Sequence, residues 1–345
     1  MKGRNLYKEE YYEFSNISKT RGIIMGIATI WIAFFHSPNL HIEKLFKIEI
    51  LENIIIFIRD LGNVGVDIFL FLSGIGLYYS FSAKNNIKQF YKKRAIRILP
   101  SIMIVAILTT AINSGEGIKN FFDRILLISL FTKGDVDFWY FSLIIFLYTI
   151  YPFLHKSIQK YDWKATAFFI ILILITNHIM LIFNKELFQK IEIATTRIPV
   201  FIMGIYIGMK AKNQRKINKA WLVPITILFI GIIGLLYYKV FNKYFILVRY
   251  LYCPLAISIV IILSQILKTG KNIAINILTW IGTYSMEIYL LYEYLVKKCD
   301  NIFKYTDIYN ISYHLAVFIL TIILSIALKE LSKKIISQVR EINAQ

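Results

Sequence analysis

The sequence has few charged residues, which make up only 18% of its 345 positions. A soluble globular domain carries about a quarter. Apolar residues take their place, at 57% of the chain, with a mean hydropathy of +0.59. This composition excludes a disordered chain, a coiled coil and an ordinary cytosolic enzyme, and it is typical of a protein that crosses a membrane many times.

Cysteine is almost absent, because Cys253 and Cys299 are the only two, and their spacing fits neither a disulfide framework nor a zinc site. Acidic residues are also scarce, with 21 Asp and Glu against 40 Lys and Arg, so the formal net charge is +19. In a soluble protein this excess would point to nucleic acid. Beside long apolar runs it indicates basic residues that flank membrane spans and meet anionic lipid headgroups. We therefore expect a lipid bilayer as partner, and neither nucleic acid nor a metal.

Long apolar runs fill most of the chain. A membrane-crossing helix needs about 20 apolar residues, which leaves room for about ten helices and short loops. The predicted fold class is all-α and polytopic, with a cytoplasmic segment at 1–21, a transmembrane domain at 22–328 and an amphipathic cytoplasmic tail at 329–345. The run 118–131 is interrupted by charge and is predicted to be interfacial or re-entrant. The predicted spans lie near 22–38, 62–83, 97–113, 138–154, 165–183, 198–209, 220–238, 245–267, 274–296 and 308–328.

Basic residues are divided unevenly between the two sides of these spans. They concentrate on the side of the N-terminus, most clearly at 84–97 and 210–219, which predicts that both termini are cytoplasmic. The first span then runs outward from Arg21, and His36 lies roughly 22 Å deeper at 1.5 Å per residue. Asp67, in the first turns of the inward-running second span, is expected at a similar depth near the outer side.

His36 ends an almost entirely apolar run. An ionisable group inside a span is costly and is a functional candidate by default. Imidazole titrates near neutrality, so His36 is predicted to be a general base that takes a proton from a hydroxyl; the alternative is a histidine hydrogen-bonded at the membrane interface. Asp67 is predicted either to orient this imidazole, as carboxylates do in triad-like sites, or to stabilise the N-terminus of its own helix.

Two arginines, Arg94 and Arg97, are three residues apart and share one helix face at the predicted cytoplasmic end of the third span. Paired guanidiniums suit phosphate groups, so they are expected to bind a phosphate-rich donor or to reach lipid phosphates. Glu287, in the ninth span, is expected near mid-membrane, where it would line a cavity. Arg197, in the outer half of its helix, would add polar lining.

Several stretches together resemble acyltransferase family 3, a family of integral membrane acyltransferases, over about residues 20–296. Each stretch alone is weak, but their order and spacing make the set fairly specific. In chain order they are 26–28 with 34–36, 65–69 with Leu72-Ser73-Gly74, 90–100, 139–141 with Tyr148 and Pro152, 197–201 with Gly204 and Gly208, and 281–285 with Tyr289 and Leu290.

The resemblance implies a ten-helix fold and an O-acetyltransferase-like activity in the plasma or inner membrane. The acyl group, usually acetyl, would pass from cytoplasmic acyl-CoA to a hydroxyl of an envelope or exported glycan. The resemblance makes His36 the essential histidine and implies that Arg94 and Arg97 act on the donor, so that acyl-CoA is a co-substrate and no cofactor is permanently bound.

Two positions depart from the family pattern. The family has an arginine eleven residues before the histidine, where this chain has Met25. Arg21 lies one turn earlier on the same face, and we expect its long side chain to reach the same region and join the arginines that bind the donor. Tyr292 stands where the late helix often ends in histidine. The residues predicted to line the substrate cavity are Ser73, Trp139, Arg197 and Glu287.

Two other functions fit the same residues. Intramembrane charges also suit an exporter or transporter of a glycan or lipid-linked intermediate. Met25 also fits a catalytically silent assembly partner in a polysaccharide-synthesis complex. A homo-oligomer is compatible with each of the three readings.

Overall fold

The structure is a computed structural model that describes residues 11–37, 40, 48–112, 122, 123, 130, 134, 138–218, 226–234, 245–267, 272–302 and 311–342. The predicted interfacial segment 118–131 and much of the predicted span 220–238 lie outside these residues. The helices are α1 (Ser15–Phe35), α2 (Glu49–Asp60), α3 (Val64–Ser82), α4 (Ile87–Ile112), α5 (Trp139–Tyr161), α6 (Trp163–Phe183), α7 (Lys185–Thr195), α8 (Ile198–Lys212), α9 (Phe245–Ile266), α10 (Ile273–Thr283), α11 (Ser285–Ile302) and α12 (Ile311–Ile342). Residues 226–234 are also helical.

The predicted class, an all-α polytopic membrane protein, is confirmed. Within the described residues, seven helical segments are long and apolar enough to cross a membrane. The predicted count of ten spans and the predicted orientation stay predictions. The seven segments are α1, α4, α5, α6, the α7–α8 pair, residues Val248–Ile266 of α9 and residues Ile311–Gln338 of α12.

Helix α3 forms the centre of the bundle. It is apolar on every side and most of its residues are buried, as expected of a helix enclosed by other helices. It packs against α1, α8 and α9. The crossing with α8 is close because both helices present glycine there. A Cβ on Gly204 would collide with the carbonyl oxygen of Phe71, and one on Gly74 would lie 2.5 Å from the carbonyl oxygen of Phe201.

The predicted span 274–296 is divided in two. Helix α10 ends at Thr283, Tyr284 forms a turn, and α11 begins at Ser285. Helix α10 packs tightly on α1, since a Cβ on Gly26 would collide with the carbonyl oxygen of Leu278. The break lets α10 follow α1 while α11 takes its own position beside α1 and α12.

The predicted amphipathic tail at 329–345 is helical as far as Ile342 and continues the preceding helix, while its boundary and its cytoplasmic location stay predictions. Helix α12 continues through Lys329 to Ile342 as one helix of 32 residues. Lys329 donates to the carbonyl oxygen of Thr283 at 2.5 Å, and Ser332 is hydrogen-bonded to Ser101 of α4 at 3.0 Å. These contacts hold the C-terminal part of α12 against the bundle. The helix therefore continues without a break where the charged residues begin.

A short antiparallel ribbon joins distant parts of the chain. Strand β1 (Tyr11–Glu13) pairs with β2 (Lys216–Asn218), which follows α8. Lys216 Nζ lies 2.8 Å from Glu13 Oε1, and the hydrogen bond lowers the pKa of that carboxyl. Both strands fall on the side predicted to be cytoplasmic, so the pairing is consistent with the predicted orientation.

Candidate active site

Three arginines from two helices converge on one cavity of about 280 Å3. Arg21 comes from α1, and Arg94 and Arg97 come from α4, where a spacing of three places them on one face. We call this space the arginine cavity. The structure therefore brings together the three arginines that the sequence predicted to bind the donor. Met25, one turn after Arg21, lines the cavity as well.

The charge of the arginine cavity is not balanced from within. Among its described lining residues there is no Asp or Glu. Arg21 Nε and Arg94 Nε are buried, and neither has a hydrogen-bond partner in the described part of the chain. Burying unpaired cationic groups is costly, and charge-assisted hydrogen bonds to an anion would satisfy them. The cavity is therefore suited to an anionic ligand.

Hydroxyl groups and small residues complete the arginine cavity. Ser73 of α3 lines it and shares a hydrogen bond of 3.1 Å with the hydroxyl of Tyr148. Gly76, one turn further toward the predicted cytoplasmic side, faces Arg21, and a Cβ there would make an ordinary van der Waals contact of 3.4 Å with the guanidinium carbon. Tyr140 adds an aromatic surface. The cavity thus combines cationic, hydroxyl and aromatic groups, a lining typical of binding sites for polar ligands with an apolar part.

His36 lines a second, much smaller space of about 10 Å3, which we call the histidine pocket. It is formed by α1, α3 and α11, with Tyr292 and Glu293 in its wall. The charges that act on the imidazole come from Glu293 and Lys297, which pair with each other at 2.8 Å. Ser37 is hydrogen-bonded to the hydroxyl of Tyr292 at 2.6 Å and fixes the end of α1 against α11.

The arginine cavity and the histidine pocket are neighbours inside the bundle. Phe69 of α3 and Tyr289 of α11 line both of them. On α1 the two spaces meet between Met25, which lines the cavity, and Thr29, which lines the pocket one turn later. A single layer of side chains thus separates the cationic site from the imidazole.

Asp67 lies in the first turn of α3, as the second of its two predicted roles requires. Its carboxylate accepts a hydrogen bond from Arg197 Nε at 3.3 Å, and both side chains are 1% exposed. Arg197 also donates to Asn63 at 2.6 Å, and its guanidinium lies 4.8 Å from the ring centre of Trp139. Asp67, Arg197 and Trp139 therefore form a buried ion-pair cluster, and the carboxylate that faces His36 is Glu293 of α11.

A second ion pair lies close to this cluster. Arg249 Nε of α9 is 2.9 Å from Glu192 of α7, and both arginines act electrostatically on Asp67. Two acids and two arginines leave the cluster neutral. Together the four charges connect α3, α9 and the α7–α8 pair.

Glu287 lies in the first turn of α11, where the positive charge of Lys329 acts on it. Ser285 and Met286 of the same turn line the arginine cavity, and Glu287 is not among the described residues that do so. Its predicted depth near the middle of the membrane stays a prediction.

The sequence analysis did not place Glu293 beside His36. It also did not identify Phe69 and Tyr289 as residues that line both the arginine cavity and the histidine pocket. Glu293 lies in the same predicted span as Glu287, and the predicted direction of that span places it near the depth of His36. The predicted depth of Glu293 in the membrane, close to that of His36, would have identified this residue. Phe69 and Tyr289 are ordinary apolar or aromatic residues of a span, so their pattern carries no such signal.

The described helices thus enclose a cavity lined by three arginines beside a pocket lined by a histidine, in a chain with seven segments apolar enough to cross a membrane. A family model described as an acyltransferase domain, that of acyltransferase family 3, matches residues 24–330. The chain belongs to this family and is a multi-pass membrane acyltransferase. No curated protein and no solved structure matches it.

Proposed function

We propose that the protein transfers an acyl group from cytoplasmic acyl-CoA to a hydroxyl of an envelope or exported glycan. The observation that carries the proposal is the common boundary of the arginine cavity and the histidine pocket, at Phe69 and Tyr289. A donor in the cavity and an acceptor whose hydroxyl group reaches into the pocket would meet there. The protein would act in the plasma or inner membrane, where the two substrates lie on opposite sides.

The donor end of the reaction belongs to the arginine cavity. Arg21 and Arg94 have unpaired buried nitrogen atoms, and Arg97 is exposed on the same helix face as Arg94. Guanidiniums form bidentate hydrogen bonds with phosphate oxygens, and coenzyme A carries phosphates at one end and the thioester at the other. With the phosphates on the arginines, the thioester would extend along the cavity toward Phe69 and Tyr289.

The acceptor end belongs to the histidine pocket. His36 takes the proton from an acceptor hydroxyl, whose oxygen then attacks the thioester carbonyl carbon. The carbon–sulfur bond breaks as the new ester bond forms, and the sulfur leaves with the proton as free coenzyme A. Glu293 stabilises the imidazolium while it holds that proton, because opposite charges attract strongly where water is scarce.

The test uses the full-length protein, purified and placed in lipid nanodiscs with labelled acetyl-CoA. Octyl glucoside serves as a probe for sugar hydroxyls, and free thiol and acylated glucoside are measured. His36→Ala is expected to lose both products. His178→Ala is the matched control, because His178 is exposed and its ring is hydrogen-bonded to the carbonyl oxygen of Leu174.

The outcomes separate the candidate functions. Thiol release that persists in His36→Ala would contradict the role of this histidine. Movement of a glycan across the bilayer without thiol release would favour an exporter. Inactivity toward every acyl-CoA, together with copurifying synthesis enzymes, would favour a silent assembly partner.

A further inference from the structure

Two aromatic side chains stand between the arginine cavity and the histidine pocket. Phe69 and Tyr289 line both spaces, while their neighbours one turn away belong to one space each. Ser73 on α3 and Ser285 on α11 line the cavity, and Glu293 on α11 lines the pocket. We call the two rings the Phe69–Tyr289 wall. Residues 285, 289 and 293 thus follow the route from one space to the other along a single helix face.

The Phe69–Tyr289 wall is firmly packed. Phe69 is 5% exposed and belongs to the main apolar core. The ring of Tyr289 lies 5.1 Å from that of Tyr140 and 6.0 Å from that of Phe141. Protein interiors are packed as densely as organic crystals, so a ring in such a position moves only when its neighbours move. The width of the passage is therefore set by the size of these two side chains.

The two spaces differ greatly in size. The arginine cavity measures about 280 Å3 and the histidine pocket about 10 Å3. A volume of the second size holds about one water molecule. Most of a donor molecule therefore fits only on the arginine side of the wall. On the histidine side there is space for little more than the reacting carbonyl group.

We propose that the Phe69–Tyr289 wall sets the length of the transferred acyl group and selects acetyl over longer chains. The inference rests on the proposed function. The hydroxyl oxygen activated by His36 must reach the carbonyl carbon at the wall, so every carbon beyond the carbonyl competes with a packed ring for space. One methylene in a shaped apolar pocket changes specificity by about tenfold to 200-fold. Acetyl-CoA is therefore preferred strongly over butanoyl-CoA, which carries two more methylenes.

The test compares acetyl-CoA with butanoyl-CoA as donors for the full-length protein in lipid nanodiscs, with octyl glucoside as the acceptor probe. The ratio of their kcat/KM values, measured by thiol release, is the readout. Phe69→Leu is expected to raise the butanoyl to acetyl ratio at least tenfold, since it shortens one side of the wall. Phe69→Ala should raise it further if that variant folds.

Two controls separate the wall from general effects. Phe71→Leu makes the same change two residues away on α3, at a fully buried position that is not among the described residues lining either space. Its donor ratio is expected to stay within about twofold of the unaltered protein. Tyr289→Phe keeps the ring and removes only the hydroxyl, so the ratio is expected to stay low.

Equal use of both donors by the unaltered protein would overturn the inference and leave the proposed function standing. An unchanged ratio in Phe69→Leu, or the same rise in Phe71→Leu, would also overturn it. No thiol release from either donor would overturn the proposed function, and the inference with it.

Discussion

Asp67 and Arg197 form an ion pair in the interior of the bundle, with 3.3 Å between the carboxylate and Nε. Arg94, by contrast, has a buried Nε with no partner among the described residues. Arg197 is thus paired with a carboxylate between helices. The Nε atom of Arg94, which lines the arginine cavity, has no such partner among the described residues. We therefore expect Arg197 to act on stability and Arg94 to act on ligand binding.

Asp67→Asn is expected to destabilise the protein by about 3–5 kcal/mol, because it leaves the buried guanidinium of Arg197 without its counter-charge. Thermal unfolding of the purified protein in detergent would measure the loss. Glu186→Gln is the control, since it removes an exposed ion pair with Lys190 and is expected to leave the unfolding temperature unchanged. Full stability with lost activity would instead assign Asp67 to the chemistry.

Arg94→Gln is expected to raise the KM for acyl-CoA by about tenfold to 100-fold, because hydrogen bonds to charged groups contribute about 1.5–3 kcal/mol. Stability should be unchanged or higher, since the substitution removes one of several like charges around the cavity. Lys92→Gln changes an exposed residue on the same helix and is expected to leave KM unaltered. A lower unfolding temperature with an unchanged KM would show that Arg94 is structural.

Glu293→Gln is expected to lower kcat by about tenfold or more and to leave the KM for acyl-CoA unchanged, because the carboxylate acts on His36 and lines only the pocket side of the wall. Steady-state kinetics at saturating donor would show the division between kcat and KM. Glu293→Asp keeps the charge and is expected to recover part of kcat. Equal losses in the Gln and Asp variants would indicate that size, and not charge, matters at this position.

Gly204→Val is expected to prevent stable folding, because its side chain would collide with the backbone of α3 at Phe71. Expression level and unfolding temperature are the measurements. Gly231→Ala is the control, since no atom of the described residues lies within 4 Å of a Cβ at that position. Replacing a helical glycine with alanine there is expected to be neutral or to stabilise by up to about 1 kcal/mol.

Composition and hydropathy predicted the all-α polytopic class, since an apolar run of about 20 residues has the length of a helix that spans a membrane. The division of span 274–296 was not predicted. Gly282 lies two residues before the break and the residues after it are more polar, but apolar side chains continue on both sides, so neither feature marked a boundary. The continuation of α12 past Lys329 was missed for a related reason. A change from apolar to charged residues marks the edge of the bilayer, but it does not end a helix.

The candidate site was predicted in part. Spacing and charge identified Arg94 and Arg97, and the position of Arg21 one turn before Met25 on the same helix face placed it within reach of them. The partner of Asp67 could not be predicted, since Arg197 is 130 residues away in the sequence. Both residues were expected near the outer side of the membrane. Equal depth narrows the choice of partners without selecting one, and only the packing of α3 against α8 decides it.

The ribbon between β1 and β2 has a consequence for biosynthesis. Strand β1 can pair only after the ribosome has made the chain beyond Asn218, by which time α1 to α8 have already been synthesised. Strand β1 therefore remains unpaired while the chain from α1 to α8 is synthesised. Its later pairing with β2 joins the segment before α1 to the segment after α8 and closes this half of the chain into a loop.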